Sequence, residues 1–259
     1  MSNHPIGIFD SGVGGTSIWK EIHALLPNES TIYLADSINA PYGPKGKKRI
    51  IELCDKNARM LLDKGCKLIV VACNTATTNA IDYLRATYKV PFIGIEPAIK
   101  PAALQTKTNA IGILATKGTL SSALFSRTST QFASNIEVIE QEGNGIVELI
   151  ESGQLHTPKM KSLLQQYLDP MLEANIDYLV LGCSHYPYLT PILLEMLPKG
   201  VKIIDSGEAV ARQTKAVLNQ LNLLNGTGSV AKHQFFTSGN PEVLKQLLGD
   251  SFTVSYSNF

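Results

Sequence analysis

What the chain lacks narrows the field first. Four cysteines in 259 residues, Cys54, Cys66, Cys73 and Cys183, are too few and too scattered for a disulfide scaffold. No two are spaced Cys-x-x-Cys, which argues against a zinc ribbon or a thioredoxin-type motif. There is no excess of either charge. Lys and Arg total 23 against 22 Asp and Glu, and the net +1 offers no electrostatic footprint for nucleic acid. The one local basic stripe, Lys45, Lys47, Lys48 and Arg49, has few aromatics around it and reads as the solvated face of a starting helix. No apolar run reaches the ~18 residues of a membrane span. The beginning, Met1-Ser2-Asn3-His4-Pro5-Ile6, lacks the basic, apolar and small-residue parts of a secretory signal, so a cytoplasmic protein is expected.

What is present is alternation. Ile6–Asp10 reads as a buried strand, and Ile18, Ile22, Leu25 and Leu26 then mark one helix face that ends at Pro27. Strand Thr31–Asp36, helix Lys47–Asp63, strand Lys67–Cys73, helix Thr77–Thr87 and strand Pro91–Glu96 follow. Short apolar strands between amphipathic helices predict parallel sheets covered on both faces. At Ala110 the pattern begins again, Ala110–Thr116 echoing Pro5–Asp10 at an offset of 105 residues. Further strands are expected near Ile136–Ile139, Tyr178–Leu181 and Val201–Asp205, and helices over Met160–Ala174 and Pro241–Leu248. Leu68–Thr75 recurs in outline as Tyr178–His185, with Cys73 and Cys183 at matching places 110 residues apart. The expected architecture is therefore two similar doubly wound α/β domains related by a pseudo-twofold. The first comprises residues 1–97 plus 207–259 and the second 98–206, with the active site in the cleft between them. Ligands of open parallel sheets sit beyond the carboxyl ends of strands. Asp10, Cys73, Thr116, Cys183 and Asp205 all stand there.

Each of these features has a plainer reading. A free cysteine is among the most buried residue types, and Cys54 and Cys66 are read as packing. Cys73 and Cys183 differ because both end a strand and precede polar residues at a helix start, where a thiol is more readily ionised. A proton-abstracting thiol needs support, and Asp10 and His185 are the nearest candidates. The run Asp10-Ser11-Gly12-Val13-Gly14-Gly15 follows a strand and opens a helix, with Asp36 ending the next strand, as in a dinucleotide fingerprint. Its third glycine position is Ser17, and no Gly-Lys-Ser/Thr follows for a P-loop. A tight turn against a packed helix, with N–H groups free to hold a carboxylate, is the alternative. A metal held by Cys183 and His185 lacks further ligands at suitable spacing.

Taken together, several segments resemble the glutamate racemases of the cofactor-independent aspartate/glutamate racemase superfamily. They are Phe9–Gly15, Ala40-Pro41-Tyr42-Gly43, Ala72–Ala76, Ile111–Thr116 with Gly118-Thr119, Leu181–Pro187 and Asp205-Ser206-Gly207. They span nearly the whole chain in the family's order. The resemblance implies interconversion of L- and D-glutamate without pyridoxal phosphate or metal, supplying D-glutamate for peptidoglycan. Cys73 and Cys183 would flank the substrate's Cα, Cys73 acting on the D- and Cys183 on the L-enantiomer, assisted by Asp10 and His185 respectively. Asp10, Ser11, Tyr42, Gly43, Asn74, Thr75, Ser184 and His185 would bind substrate, with Thr116 and Thr119 as weaker candidates. A homodimer is implied, and a cell-wall precursor is a possible activator. Three departures stand out. Ser184 occupies a usual threonine position, Asn39 one that is often arginine, and Gln141–Leu149 differs from the family's common pattern, although Glu151 keeps an acidic position.

Overall fold

In the computed structural model, residues 2–226 and 230–259 are described; Met1, where the amino-terminal reading begins, lies outside them. The first part of the chain runs β1 (Ile6–Asp10), α1 (Thr16–Leu25), β2 (Thr31–Ala35), α2 (Lys47–Asp63), β3 (Leu68–Val71), α3 (Asn74–Thr87) and β4 (Phe92–Gly94). The second continues with α4 (Ile99–Gln105), β5 (Ala110–Ala115), α5 (Lys117–Leu120), α6 (Ala123–Ala133), β6 (Glu137–Glu142), α7 (Ile146–Glu151), α8 (Pro158–Glu173), β7 (Tyr178–Gly182), α9 (Thr190–Met196) and β8 (Lys202–Ile204). The chain then returns through α10 (Gly207–Gln220), β9 (His233–Thr237), α11 (Pro241–Leu248) and β10 (Val254–Tyr256).

Two sheets result, ordered β10-β9-β2-β1-β3-β4 and β6-β5-β7-β8, and every strand pair among the described residues is parallel. The order β2-β1-β3-β4 in the first sheet is matched, four strands later, by β6-β5-β7-β8 in the second. The repeated sequence pattern is thus a repeated topology, to which β9 and β10 add an extension beyond β2. In both sheets the connections reverse direction between the first and third strands of the unit, where such sheets bind ligands. Those strands are β1 and β3 in one sheet, β5 and β7 in the other. The chain passes between the sheets after β4 and returns after β8. There Ser206 Oγ donates to the Glu96 carbonyl, so the two crossings touch.

Local chemistry accounts for the elements. β1 and β3 are buried on both faces. Ile6, Ile8, Leu68 and Val70 face one core, and Phe9, Ile69 and Val71 the other. α2 buries Ile50, Leu53, Cys54, Asn57, Ala58 and Leu61, a stripe at helical spacing, and leaves Lys47, Lys48 and Arg49 in solvent. Each fully buried Leu or Ile of such a stripe contributes roughly 1.5–3 kcal/mol. Cys54 and Cys66 are core residues.

The boundaries shift for identifiable reasons. α3 begins three residues before the expected Thr77, because Cys73 is its cap and its Sγ accepts the Ala76 N–H at 3.4 Å. β3 correspondingly ends at Val71, leaving Ala72 and Cys73 as the turn. β6 runs on to Glu142 despite its polar sequence, because β5 pairs with it along its whole length.

Candidate active site

The glycine turn after β1 is shaped by what presses on it. Tyr33, from β2, donates its hydroxyl to the Gly12 carbonyl at 2.8 Å and pins the turn from below. A Cβ on Gly14 would collide with the ring and backbone of His185, and one on Gly12 with the carboxylate of Glu151. These glycines are therefore needed for close approach of the second sheet's residues. Three of the turn's N–H groups are already taken. Gly15 N and Gly12 N donate to Asp10 Oδ2 at 2.9 and 3.3 Å, and Val13 N donates to Glu151 Oε1 at 2.6 Å. The turn does hold carboxylates, as helix N-termini do, but they are the protein's own. No N–H at these three positions is left for a pyrophosphate, which counts against the dinucleotide reading.

Asp10 sits at the centre, fully buried, with Oδ1 accepting from Ser184 Oγ at 3.2 Å. Burial pushes its carboxyl above the usual carboxylate range; the facing His185 and the Gly15 N–H oppose that rise. Cys73 is buried beside it and contacts Ser11 Oγ at 3.5 Å. Burial raises the Cys73 thiol well above its ordinary value, and the charge of Asp10 raises it further. Ser11 and the Ala76 N–H work the other way.

From the second sheet come Cys183, Ser184 and His185, directly after β7. The Cys183 Sγ lies 3.7 Å from His185 Nδ1, and the same nitrogen is 4.0 Å from Asp10 Oδ2. On its far side His185 Nε2 meets Glu151 Oε1 at 2.6 Å. Burial alone would lower the imidazole; hydrogen bonds to Cys183 and Glu151, and their charges, outweigh it and hold His185 well above its ordinary range. The two thiols thus meet a common Asp10–His185 network, and Cys73 feels the charge of Cys183.

Around this pair lie groups able to hold a small polar molecule. Asn74, at the first position of α3, is buried, and neither its amide nitrogen nor its oxygen finds a hydrogen-bond partner among the described residues. Leaving a buried polar group unpaired costs about 1–3 kcal/mol, so this amide is poised for a ligand. Thr75, Thr116 and Thr119 form a hydroxyl cluster across the cleft, with Oγ1 separations of 2.8, 3.1 and 3.4 Å. Gly43 lies against Thr116. The Tyr42 hydroxyl, however, donates to Asp36 Oδ2 at 2.6 Å and accepts from Asn57. Of Tyr42-Gly43, the backbone is what borders the cleft. Asp205, expected in the same crevice, instead accepts the Gly207 N–H at 2.7 Å, where α10 begins.

The sequence marks Glu151 only as a residue that keeps the acidic position of the resembled family's segment. In the structure it ends α7 and joins three elements, accepting from Val13 N, from Ser37 Oγ at 2.8 Å and from His185. The divergent Gln141–Leu149 segment is anchored by tyrosines. Tyr186 donates to the Gly143 carbonyl at 3.2 Å and Tyr167 to that of Asn144 at 2.8 Å. With Pro41, Gly43, Thr116 and Lys117, it walls a narrow crevice of about 40 Å³ at the cleft mouth. Among the described residues, no group of three His, Cys, Asp or Glu side chains is arranged to hold a metal, and no helix is long and apolar enough to cross a membrane.

Two sheets that share a four-strand order, each presenting a cysteine just after the third strand of that unit to one polar site, define an α/β racemase class. Residues 6–214 match the Asp/Glu/Hydantoin racemase family, and the chain belongs to it. It is 44% identical to a glutamate racemase of Herpetosiphon aurantiacus over 93% of this chain and 95% of that one. It is 46% identical to one from Pseudomonas aeruginosa over 94% and 92%. Among solved structures, Escherichia coli glutamate racemase in complex with L-glutamate and the activator UDP-MurNAc-Ala superposes with a TM-score of 0.85. That pair is 34% identical, covering 95% of this chain and 94% of the other. A glutamate racemase isoform of Bacillus anthracis gives 0.86 at 29% identity, covering 100% and 98%.

Proposed function

We propose that this protein is a glutamate racemase, interconverting L- and D-glutamate by acid–base chemistry at two thiols and supplying D-glutamate for peptidoglycan synthesis. The observation that carries the reading is the convergence of Cys73 and Cys183, from equivalent strand ends of two sheets, on one buried Asp10–His185 network. In the L-to-D direction the Cys183 thiolate takes the Cα proton, and the Cys73 thiol delivers a proton to the opposite face. The reverse reaction starts with Cys73 as base. Each turnover exchanges the protonation states of the two sulfurs, an arrangement suited to general acid–base catalysis. Asp10 supports Cys73 and His185 supports Cys183. Ser11, the Tyr42-Gly43 backbone, Asn74, Thr75 and Ser184, with Thr116 and Thr119 beside them, bind the two carboxylates and the ammonium group. The first turn of α3 adds N–H groups suited to an anion.

The working unit comprises two domains, 1–97 with 207–259 and 98–206, each built on one sheet, and the reaction uses no added cofactor. The protein works in the cytoplasm as a homodimer, and a cell-wall precursor of the kind held by the Escherichia coli enzyme is its activator. Circular dichroism of enantiopure glutamate and aspartate, incubated with purified protein and no cofactor, tests the assignment directly. Loss of signal with glutamate and not aspartate is expected; turnover of aspartate alone would replace the substrate. In deuterated water, early product carries deuterium at Cα while recovered substrate carries little, as two separate bases require. Equal labelling of both pools from the start would mean one base. Sedimentation tests the dimer, and assays with and without a UDP-linked muramyl precursor test activation.

A further inference from the structure

The turn that carries Cys183, Ser184 and His185 is tied to the start of α1 by side chains outside the site itself. Tyr188, in the 3₁₀ turn Tyr186–Leu189, brings its hydroxyl to 2.6 Å from Thr16 Oγ1. Thr16 is fully buried, and its own hydroxyl donates to the Val13 carbonyl at 2.6 Å. A threonine hydroxyl has one proton to give, so the Tyr188 O–H is the donor to Thr16. Burial pushes that phenol up to about 12, against the bond to Thr16 and with the charge of Asp10, so it keeps its proton at neutral pH. Next to Thr16, Ser17 Oγ donates to the Ser184 carbonyl at 2.8 Å. Lys20 Nζ lies 5.1 Å from the centre of the Tyr188 ring.

These bonds form a circuit. From Tyr188 it runs through Thr16 to the Val13 carbonyl, then from the Val13 N–H to Glu151 Oε1 at 2.6 Å, which His185 Nε2 meets at 2.6 Å. The Tyr188 N–H, donating to the His185 carbonyl at 3.3 Å, completes it. His185 is thus held at its ring by one bridge between the two halves of the molecule and at its backbone by another.

We propose that Tyr188 is a positioning residue for racemisation: through Thr16 it fixes the turn carrying Cys183 and His185 against the turn carrying Asp10. The proposal rests on the racemase reading above for its kinetic meaning. Tyr188 and Thr16 each stand one residue beyond segments through which the chain resembles its family, Leu181–Pro187 and Phe9–Gly15, so the resemblance marks neither. The Tyr188 hydroxyl is spent on Thr16, so it acts through the turn and not on the reacting carbon. Phenylalanine at this position would keep the ring beside Lys20 and remove only the donor. Thr16 would then lose what it accepts while keeping its bond to Val13, and the circuit would be open at one point.

Steady-state kinetics of Tyr188→Phe, Thr16→Val and the double variant, in both directions, test this on the full chain. Tyr188→Phe is expected to lower kcat about tenfold, the upper end of what one neutral hydrogen bond is worth. KM is expected to change less, because Asn74, Thr75, Thr116 and Thr119 lie outside the circuit. Thr16→Val is expected to match that loss and the double variant to fall no further, since each breaks the same chain of bonds. Thr16→Ser, which keeps the hydroxyl, is expected to recover most of kcat. An unchanged kcat in Tyr188→Phe, losses that multiply in the double variant, or a Thr16→Ser as slow as Thr16→Val overturns the proposal. Should one of Tyr188→Phe and Thr16→Val fail to fold, the other decides; failure of both makes the bond an element of stability and overturns it too. Alkylation of the two cysteines by iodoacetamide, read by mass spectrometry, separates the proposal from the racemase reading. In Tyr188→Phe the rate at Cys183 relative to Cys73 is expected to rise about threefold or more, within the same range. That rise in a protein that racemises nothing refutes the function and leaves the positioning standing, whereas an unchanged ratio refutes the positioning whatever the wild type catalyses.

Discussion

The turn after β3 and the turn after β7 are the same place in a repeated unit, yet they have diverged in what surrounds the sulfur. After β3 the chain enters the 14-residue helix α3, which Cys73 caps directly. After β7 it enters a short 3₁₀ turn, Tyr186–Leu189, that leads into the seven-residue α9, and His185, just ahead of that turn, meets Glu151 at the end of α7. One thiol has gained a carboxylate, the other an imidazole with a carboxylate behind it. Duplication supplied symmetric positions for a symmetric reaction, whereas the supporting groups are free to differ because the two protonation states they serve are opposite.

The bluntest way to break the comparison is to remove either sulfur. Cys73→Ala and Cys183→Ala are each expected to lower racemisation in both directions by about 10³-fold or more, within the range a positioned acid or base contributes and compounded by loss of its partner's role. Polarimetry with far-ultraviolet circular dichroism separates lost activity from lost fold; full activity in either folded variant removes that cysteine from the scheme. Next in size is Gly14→Ala, which leaves both thiols intact and presses a methyl group onto the ring and backbone of His185. Displacing a catalytic group by about 1 Å costs roughly 10²-fold, so kcat is expected to fall by that order. An unchanged kcat would mean that His185 has no positional role.

The smallest effect distinguishes two histidines by the sign of their pH dependence. His185 is raised well above its ordinary value, so its stabilisation is complete below about pH 6.5 and is lost as pH rises through its higher folded value. His233 is lowered, by partial burial and then by the facing ring of His23 at 4.6 Å. Its contribution is present above about pH 6.5 and is lost as pH falls through its folded value. Melting temperatures of His185→Gln across pH 6–9 are expected to show a flatter alkaline decline than the wild type. Those of His233→Gln across pH 7–5 should show a flatter acid decline. The reverse pairing would refute both assignments.

Much of this frame is legible from residue order alone, because buried parallel strands leave few alternatives. Period and composition place Asp10, Cys73 and Cys183 at strand ends, and the offset repeat anticipates two sheets of one topology. The Glu151–His185 contact is not legible, since it joins residues 34 apart and depends on how α7 meets the glycine turn. The Tyr42 hydroxyl is similar. Its motif marks the loop as belonging to the cleft, but only the packed structure turns the hydroxyl toward Asp36 and away from it. The sequence marks a strand only near Ile136–Ile139, because Glu137–Glu142 has little apolar content and its order comes from a neighbour's backbone.

The doubled passage of the chain between the sheets has a mechanical consequence. A single connection would leave one body tethered to the other by one length of backbone, whereas here two connections run side by side and are joined to each other by Ser206 and Glu96. The place of each sulfur relative to the other is therefore set by the joinery behind the site as well as by the groups within it.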